Sequence, residues 1–153
     1  MNKYKEREHK FKLVFLYSFN LQNYEEAFEE YFDSHSYFDD ETNGKIVFVE
    51  DIKSEEKQYL INEVKDLILH INEIDQKIEQ TLTNRKLSRV PKVDMAILRL
   101  AIFEIYYSSK KIDVSIVVNE AIEIAKKYGS EKSYGFVNKI LSNILESNSE
   151  KTI

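Results

Sequence analysis

The 153-residue chain contains no cysteine. That absence excludes disulfides, thiolate zinc sites, iron–sulfur ligation and cysteine nucleophiles together, and it makes a cytoplasmic home the default expectation. Glycine and proline are scarce too: Gly44, Gly129, Gly135 and Pro91 are the whole supply. So few glycines leave little backbone freedom for a phosphate-cradling loop, and no dinucleotide fingerprint, nucleophile elbow, zinc-protease helix or calcium loop is present. No apolar run approaches membrane-spanning length. The most signal-like stretch, residues 13–19 behind a basic start, carries Tyr17 and Ser18 without a small-residue cleavage site, and so reads as a core-facing helix. His9, His35 and His70 are scattered without ligand-like spacing, so neither a metal site nor any other cofactor is expected. Asp39, Asp40 and Glu41 read as a solvated acidic run rather than a catalytic pair. Nothing here points to an enzyme.

What is present favours helices. Hydrophobic side chains make up 42% of the chain, enough for one domain with a sizeable core. Leu, Ile, Lys and Glu dominate, a composition suited to long helices rather than many short strands. The formal net charge of −5 argues against a generic nucleic-acid binder, whose phosphate affinity needs surplus cations. The charge is polarised, however. Lys3, Lys5, Arg7, Lys10 and Lys12 outnumber Glu6 and Glu8 at the amino end, while residues 25–56 are acidic and compensated only by Lys45, Lys53 and the adjoining Lys57.

Periodicity predicts a first helix over residues 3–20, with Phe11, Phe15, Ser18 or Phe19 and Gln22 at near-helical spacing. Its cations sit in the first turns, where they oppose the helix dipole, an arrangement expected of either a ligand site or a solvated end. A short helix follows over residues 24–33. Residues 34–53 hold the turn formers His35, Ser36, Asp39, Asp40, Thr42, Asn43 and Gly44, then the β-prone run Ile46, Val47, Phe48 and Val49. A sheet would need a partner strand; none is evident, so a loop with a locally extended segment is expected. Leu60, Val64, Leu67, Ile71, Ile74, Ile78 and Leu82 then form one stripe, on one long helix or two nearly collinear ones, packed within the molecule rather than in a coiled-coil dimer.

Residues 83–91 break that pattern. Beyond Pro91, Met95, Leu98, Ala101, Ile102 and Ile105 describe a buried helix ending near Ser108. Asp113 or Ser115 can cap the next helix, which carries Val117, Val118, Ala121, Ile122 and Ala125 and stops at Gly129, a residue suited to a left-handed helix end. Ser130 can cap the last helix, whose Phe136, Val137, Ile140, Leu141, Ile144 and Leu145 face the core before a polar tail after Glu146.

Residues 89–104 contain Asp94, then Ala96-Ile97-Leu98-Arg99, an apolar turn and Glu104. Next come Asn119-Glu120-Ala121-Ile122-Glu123 through Tyr128-Gly129, and then Ser133 with Phe136-Val137-Asn138 and Leu141. These three ordered segments closely resemble the NusB family of transcription antitermination factors. The likeness is strongest over residues 87–145. It is looser at the amino end, where Leu16-Tyr17 falls in the first helix behind Arg and Lys, and in the middle third, where Asn72 and Asp75 lie near family positions. The resemblance implies an all-α, NusB-like bundle of about six to seven helices in two packed helical subdomains. Residues 1–146 would form a single RNA-binding domain with halves at about 1–83 and 84–146, and residues 147–153 a polar tail.

The same resemblance implies binding of single-stranded boxA RNA jointly with the ribosomal protein NusE, on the elongating RNA polymerase with other Nus factors, in support of ribosomal RNA transcription. Single-stranded RNA is held by cations along its phosphates and by bases stacked on aromatic rings. Carried over position by position, the basic tract falls on Lys3, Lys5 and Arg7, the Leu-Tyr on Leu16 and Tyr17, and the final-helix aromatic on Phe136. Arg99 is either a functional cation or a structural ion-pair partner of Glu120 or Asp94, and Asn119, Glu120 and Asn138 are architectural. Phe136 and Tyr17 lie on or beside apolar stripes, and a plain core role stands beside the RNA role for each.

Departures from the family pattern matter. Glu6, Glu8 and His9 dilute the basic tract, which should weaken phosphate attraction and steepen its pH sensitivity. Lys132 and Gly135 replace charges that flank the aromatic elsewhere, and Lys132 can restore part of the missing charge. The RNA mechanism requires the cationic first helix to lie close to Phe136. A second reading is a helical adaptor of the same fold that binds NusE or polymerase with little RNA affinity of its own. A third, the NusB-like portion of a ribosomal RNA cytosine methyltransferase, is not expected of this chain, which holds no catalytic domain or nucleotide-binding fingerprint. Family members differ in whether they form homodimers, and the sequence leaves that open.

Overall fold

A computed structural model of the chain describes residues 1–33, 37–39, 45–47 and 52–151. Its helices are α1 (Lys3–Phe19), α2 (Tyr24–Asp33), α3 (Ser54–Leu69), α4 (Ile71–Thr81), α5 (Lys92–Tyr106), α6 (Val114–Tyr128) and α7 (Ser133–Lys151), with one 3-10 turn at Leu87–Arg89. Helix α5 is the hub and packs against α1, α3, α4, α6 and α7. Its sequence explains why: Met95 to Phe103 are all buried except Arg99, so the helix is apolar around most of its circumference, as a central helix must be. The core is one continuous cluster running from Phe11 in α1 to Ile144 in α7.

The long stripe packs within the molecule. Leu60, Val64, Leu67, Ile74 and Ile78 are buried, and Ile71 and Leu82 lie against the core. Two helices carry it, broken at His70, whose φ of −102° and ψ of 11° lie outside the helical region. The His70 ring stacks on Tyr107 at 4.7 Å, which gives the break a packing partner on α5's end.

The expectation of an unpaired extended segment is corrected. Tyr37–Asp39 (β1) and Lys45–Val47 (β2) pair antiparallel, with Phe38 opposite Ile46. These strands of three residues leave the all-α class unchanged. The expected turn residues His35, Ser36, Asp40, Thr42, Asn43 and Gly44, with Glu41 of the acidic run and Phe48 and Val49 of the β-prone run, lie outside the described residues.

Helix ends hold three further differences. Asn2 caps α1 by accepting the Lys5 backbone N–H at 2.8 Å. Asp113 occupies the cap position of α6 without a side-chain cap bond. Gly129 is extended (φ −90°, ψ −174°), not left-handed. Glycine is needed there for space: a Cβ would stand 2.4 Å from Ser133 Cβ and 2.8 Å from the Ala125 carbonyl oxygen. In this close turn Ser130 Oγ accepts the Lys132 N–H at 3.3 Å, ahead of α7 rather than within it, while the Ser130 N–H donates to Ser133 Oγ at 2.9 Å. Helix α7 continues past Glu146 to Lys151.

Candidate nucleic-acid interface

Helix α1 turns four consecutive long polar residues, Arg7, Glu8, His9 and Lys10, into buried positions. Their aliphatic stems pack, and their ends are matched by neighbours. Arg7 Nε donates to both carboxylate oxygens of Glu104 at 3.0 and 3.1 Å, and its Nη1 lies 3.8 Å from Glu120. Lys10 sits 3.5 Å from Glu63 and 3.9 Å from Glu6. Burial raises the Glu104 carboxyl above its ordinary value, while Arg7 and Lys10 oppose the rise. His9 Nδ1 meets the Tyr31 hydroxyl at 2.5 Å, joining α1 to α2.

The expected basic tract is therefore divided. Lys3 is exposed, Lys5 is half-buried with Glu8 at 3.8 Å, and Arg7 is buried in a pair with Glu104 that occupies its guanidinium. Arg7 leaves the set of RNA candidates for that reason.

Tyr17 and Arg99 come together. Tyr17 is 9% exposed and meets Tyr24 edge-on at 5.5 Å. Burial raises its hydroxyl pKa, with the nearby Arg99 charge opposing. Arg99 forms a fork on Asp75, Nε to Oδ1 at 2.9 Å and Nη2 to Oδ2 at 2.8 Å, with Nη1 3.5 Å from Ser18 Oγ. The partner is thus Asp75 on α4, in place of the expected Glu120 or Asp94; Glu120 belongs to Arg7. The fork's outer edge borders a groove of about 350 Å³ lined by Ser18, Leu21, Leu87, Lys92 and Met95.

Phe136 is half-buried, against the core but not sealed in it. The cation over its ring is Arg85, with the guanidinium 5.0 Å from the centroid. Arg85 is exposed, as is Lys132 just before α7. A guanidinium lying on a ring presents a second flat surface on which an unpaired base can stack. The sequence signal for Arg85 was the run Arg85, Lys86, Arg89 and Lys92, four cations with no carboxylate between Glu79 and Asp94.

Lysines lie over aromatic rings along α1 and the end of α6 as well. Lys12 is 5.6 Å from the Tyr128 ring, and Lys127 is 5.5 Å from Tyr128 and 6.0 Å from Tyr4. Tyr128 also packs on Phe11 at 5.1 Å, and Lys126 reaches Tyr134 of α7 at 5.7 Å. Lys127 donates to Glu8 at 2.9 Å. Burial pushes the Glu8 carboxyl up, but hydrogen bonds from Lys127 and Tyr128 and the charge of Lys12 outweigh it, and Glu8 ends below its ordinary value. The first helix meets the end of α6 through Lys12, Phe11 and Tyr128, whereas the cation over Phe136 is Arg85.

Among the described residues no group of three or more His, Asp or Glu could hold a metal ion, and no helix is long and apolar enough to cross a membrane. The NusB family model matches residues 4–146. A transcription antitermination protein NusB of Clostridium botulinum is 38% identical over 145 residues, 95% of this chain and the whole of that protein. One from Thermoanaerobacter is 48% identical over 87 residues, so this chain spans 57% of its own length and about three fifths (61%) of that relative in the match. Among solved structures, T. maritima NusB aligns with a TM-score of 0.75 at 28% identity, covering 95% of this chain and 92% of that one. A crystal structure of the antitermination factors NusB and NusE in complex with dsRNA aligns with a TM-score of 0.67 at 28% identity, covering 96% and 99%. With the family model spanning nearly the whole chain and a full-length relative at this identity, the protein belongs to the NusB family.

Proposed function

We propose that this protein is a cytoplasmic, non-enzymatic transcription antitermination factor that binds single-stranded boxA RNA together with NusE and acts on elongating RNA polymerase with other Nus factors. Residues 1–146 serve as one RNA-binding unit. The observation that carries the reading is the half-buried Phe136 under the exposed Arg85 guanidinium, with Lys132 beside it. Stacking surface and phosphate-seeking charge occur together there, the combination an unpaired strand needs. Exposed Lys3 at the amino end, and Lys12 and Lys127 over the Tyr128 ring, supply further cations and a further aromatic face. Arg99, forked on Asp75, borders a separate groove with Lys92, where its outer edge can meet the strand; Tyr17 lies buried beside it. The related complex contains a duplex, but a duplex hides its base faces and could use only the cations.

Anisotropy titration of boxA RNA as a single strand and as a duplex, with and without NusE and across salt, tests the reading. Single-strand binding that weakens with salt, tightens with NusE and drops in Phe136→Ala is expected. Equal affinity for strand and duplex, unchanged in the variant, would refute it. The adaptor reading, with NusE or polymerase as partner and little RNA affinity, draws on the net charge of −5 and on the internal neutralisation of Arg7 and Lys10. It predicts NusE binding without measurable RNA binding.

A further inference from the structure

A cavity of about 220 Å³ opens between the start of α1, the side of α3 and the connection from α5 to α6. Its deep cations are neutralised: Arg7 by Glu104, and Lys10 by Glu6 and Glu63. Its mouth is not. Lys3, Lys110 and Lys111 line it, all exposed, and among the described residues none of the three has a carboxylate partner. The Lys110 ammonium donates to the Tyr59 hydroxyl at 2.5 Å and lies 4.1 Å from the ring centroid. Tyr59 in turn donates to Glu63 at 3.2 Å. Ser108 adds a hydroxyl, and Ile112 and Ile116 give an apolar wall. The five lining cations and three lining carboxylates thus leave the positive excess at the rim.

We infer that this cavity seats one nucleotide, its phosphate held by Lys3, Lys110 and Lys111 and its base against Ile112 and Ile116. The volume lies below the roughly 300 Å³ at which pockets for drug-sized ligands begin, so it fits a single nucleotide and not a longer piece of strand. The site shares helix α1 with the lysine–tyrosine contacts at the end of α6. Lys3 adjoins Tyr4, over which Lys127 lies, and nine residues of α1, roughly 14 Å, separate Lys3 from Lys12. The inference rests on the RNA reading for its preferred source, a nucleotide within the bound strand; a free nucleoside phosphate carries the same chemistry. Lysines 110 and 111 lie outside the amino-terminal tract, so the site adds a second, separate grip that would fix the strand's register.

The test is the double variant Lys110→Ala/Lys111→Ala beside Phe136→Ala, titrated with boxA RNA and with uridine monophosphate. Both lysines are exposed, and circular dichroism checks that the variant folds as the wild type does. The expected result is roughly tenfold weaker RNA binding at low ionic strength, and a log-affinity against log-salt slope shallower by about 1.4 for two lost single-strand phosphate contacts. Trimming one terminal nucleotide should weaken the wild type more than the double variant. Saturation by uridine monophosphate, lost in the double variant, would also support the site and extend it to the free nucleotide; no such binding alongside the RNA effect assigns it to the strand. Unchanged RNA affinity, slope and trimming response in the double variant, with a loss in Phe136→Ala, would overturn the cavity site and leave the RNA reading standing. If the wild type binds no RNA, the RNA reading fails, and the cavity site falls with it unless uridine monophosphate binds in a manner that depends on Lys110 and Lys111.

Discussion

Replacing Arg7 by methionine keeps most of the aliphatic stem and removes the guanidinium that holds Glu104. Both side chains are about 5% exposed, and the two Nε contacts measure 3.0 and 3.1 Å. Removing one partner of a buried pair costs about 3–5 kcal/mol, because the other charge stays behind without compensation. Lys10 also acts on Glu104, which places the expected loss near the lower end, about 3 kcal/mol. For a chain of this size that is a fall in Tm of roughly 6–12 °C. The pH dependence has a definite sign. A carboxyl whose folded pKa is raised favours folding below its ordinary range, and that contribution is lost as pH rises through the folded value. Without Arg7 the rise is larger, so the deficit should be greatest near neutral pH and shrink at acid pH, as Glu104 takes up its proton. Thermal melts by circular dichroism at both pH values measure this. At low temperature, where the variant is folded, its affinity for RNA should stay near that of the wild type. A variant that melts like the wild type at neutral pH yet loses RNA affinity would refute the assignment of Arg7 to the interior.

Other perturbations have equally definite outcomes. Arg85→Ala removes the platform over Phe136 and one phosphate-seeking cation, so RNA affinity should fall by about 1–3 kcal/mol with little change in Tm, read by anisotropy and melting. Arg99→Ala breaks the fork on Asp75 and should destabilise by about 2 kcal/mol in denaturant titration, with Arg99→Lys restoring only part because one ammonium cannot reproduce two parallel bonds. Gly129→Ala drives a methyl into Ser133 and the Ala125 carbonyl and should cost about 1–3 kcal/mol; adding Ser133→Ala leaves the Cβ and backbone contacts and relieves only part. Glu8→Gln removes a carboxylate held below its ordinary pKa. The variant should lose stability at neutral pH and converge with the wild type as pH falls through the folded pKa of Glu8, the same direction as for Arg7→Met but over a more acid range, because Glu8 is lowered where Glu104 is raised.

The helices were legible because burial imposes a period. Leu60, Val64, Leu67, Ile74 and Ile78 fall on one stripe, and all five are buried. The break at His70 was not legible, since Leu67, Ile71 and Ile74 keep helical spacing straight across it. Asp75 could not be read as the partner of Arg99, because the pair spans 24 residues and depends on how α4 lies against α5. Arg7 was misleading for a related reason: a cation in an amphipathic first turn has the same pattern whether its end meets solvent or a carboxylate on another helix. The hairpin partner Tyr37–Asp39 was hidden by its brevity and its acidic final residue. Gly129 was rightly singled out, but its need is set by Ser133, four residues on, rather than by its own backbone angles. Within the candidate interface, Phe136 came from the family motif and Lys132 from a departure beside it, whereas Arg85 sat in a stretch that periodicity treats only as an interruption.

The proposed RNA grip lies at the entrance to α7, where Arg85 covers Phe136 after exposed Lys132. Amide chemical-shift mapping during titration of boxA RNA into isotopically labelled protein tests it most directly. The largest changes are expected at Arg85, Lys132 and Phe136, with a second group around Lys12 and Tyr128. Changes concentrated instead on the acidic helix α2 and the outer face of α3, with Phe136 and its neighbours unmoved, would contradict the account.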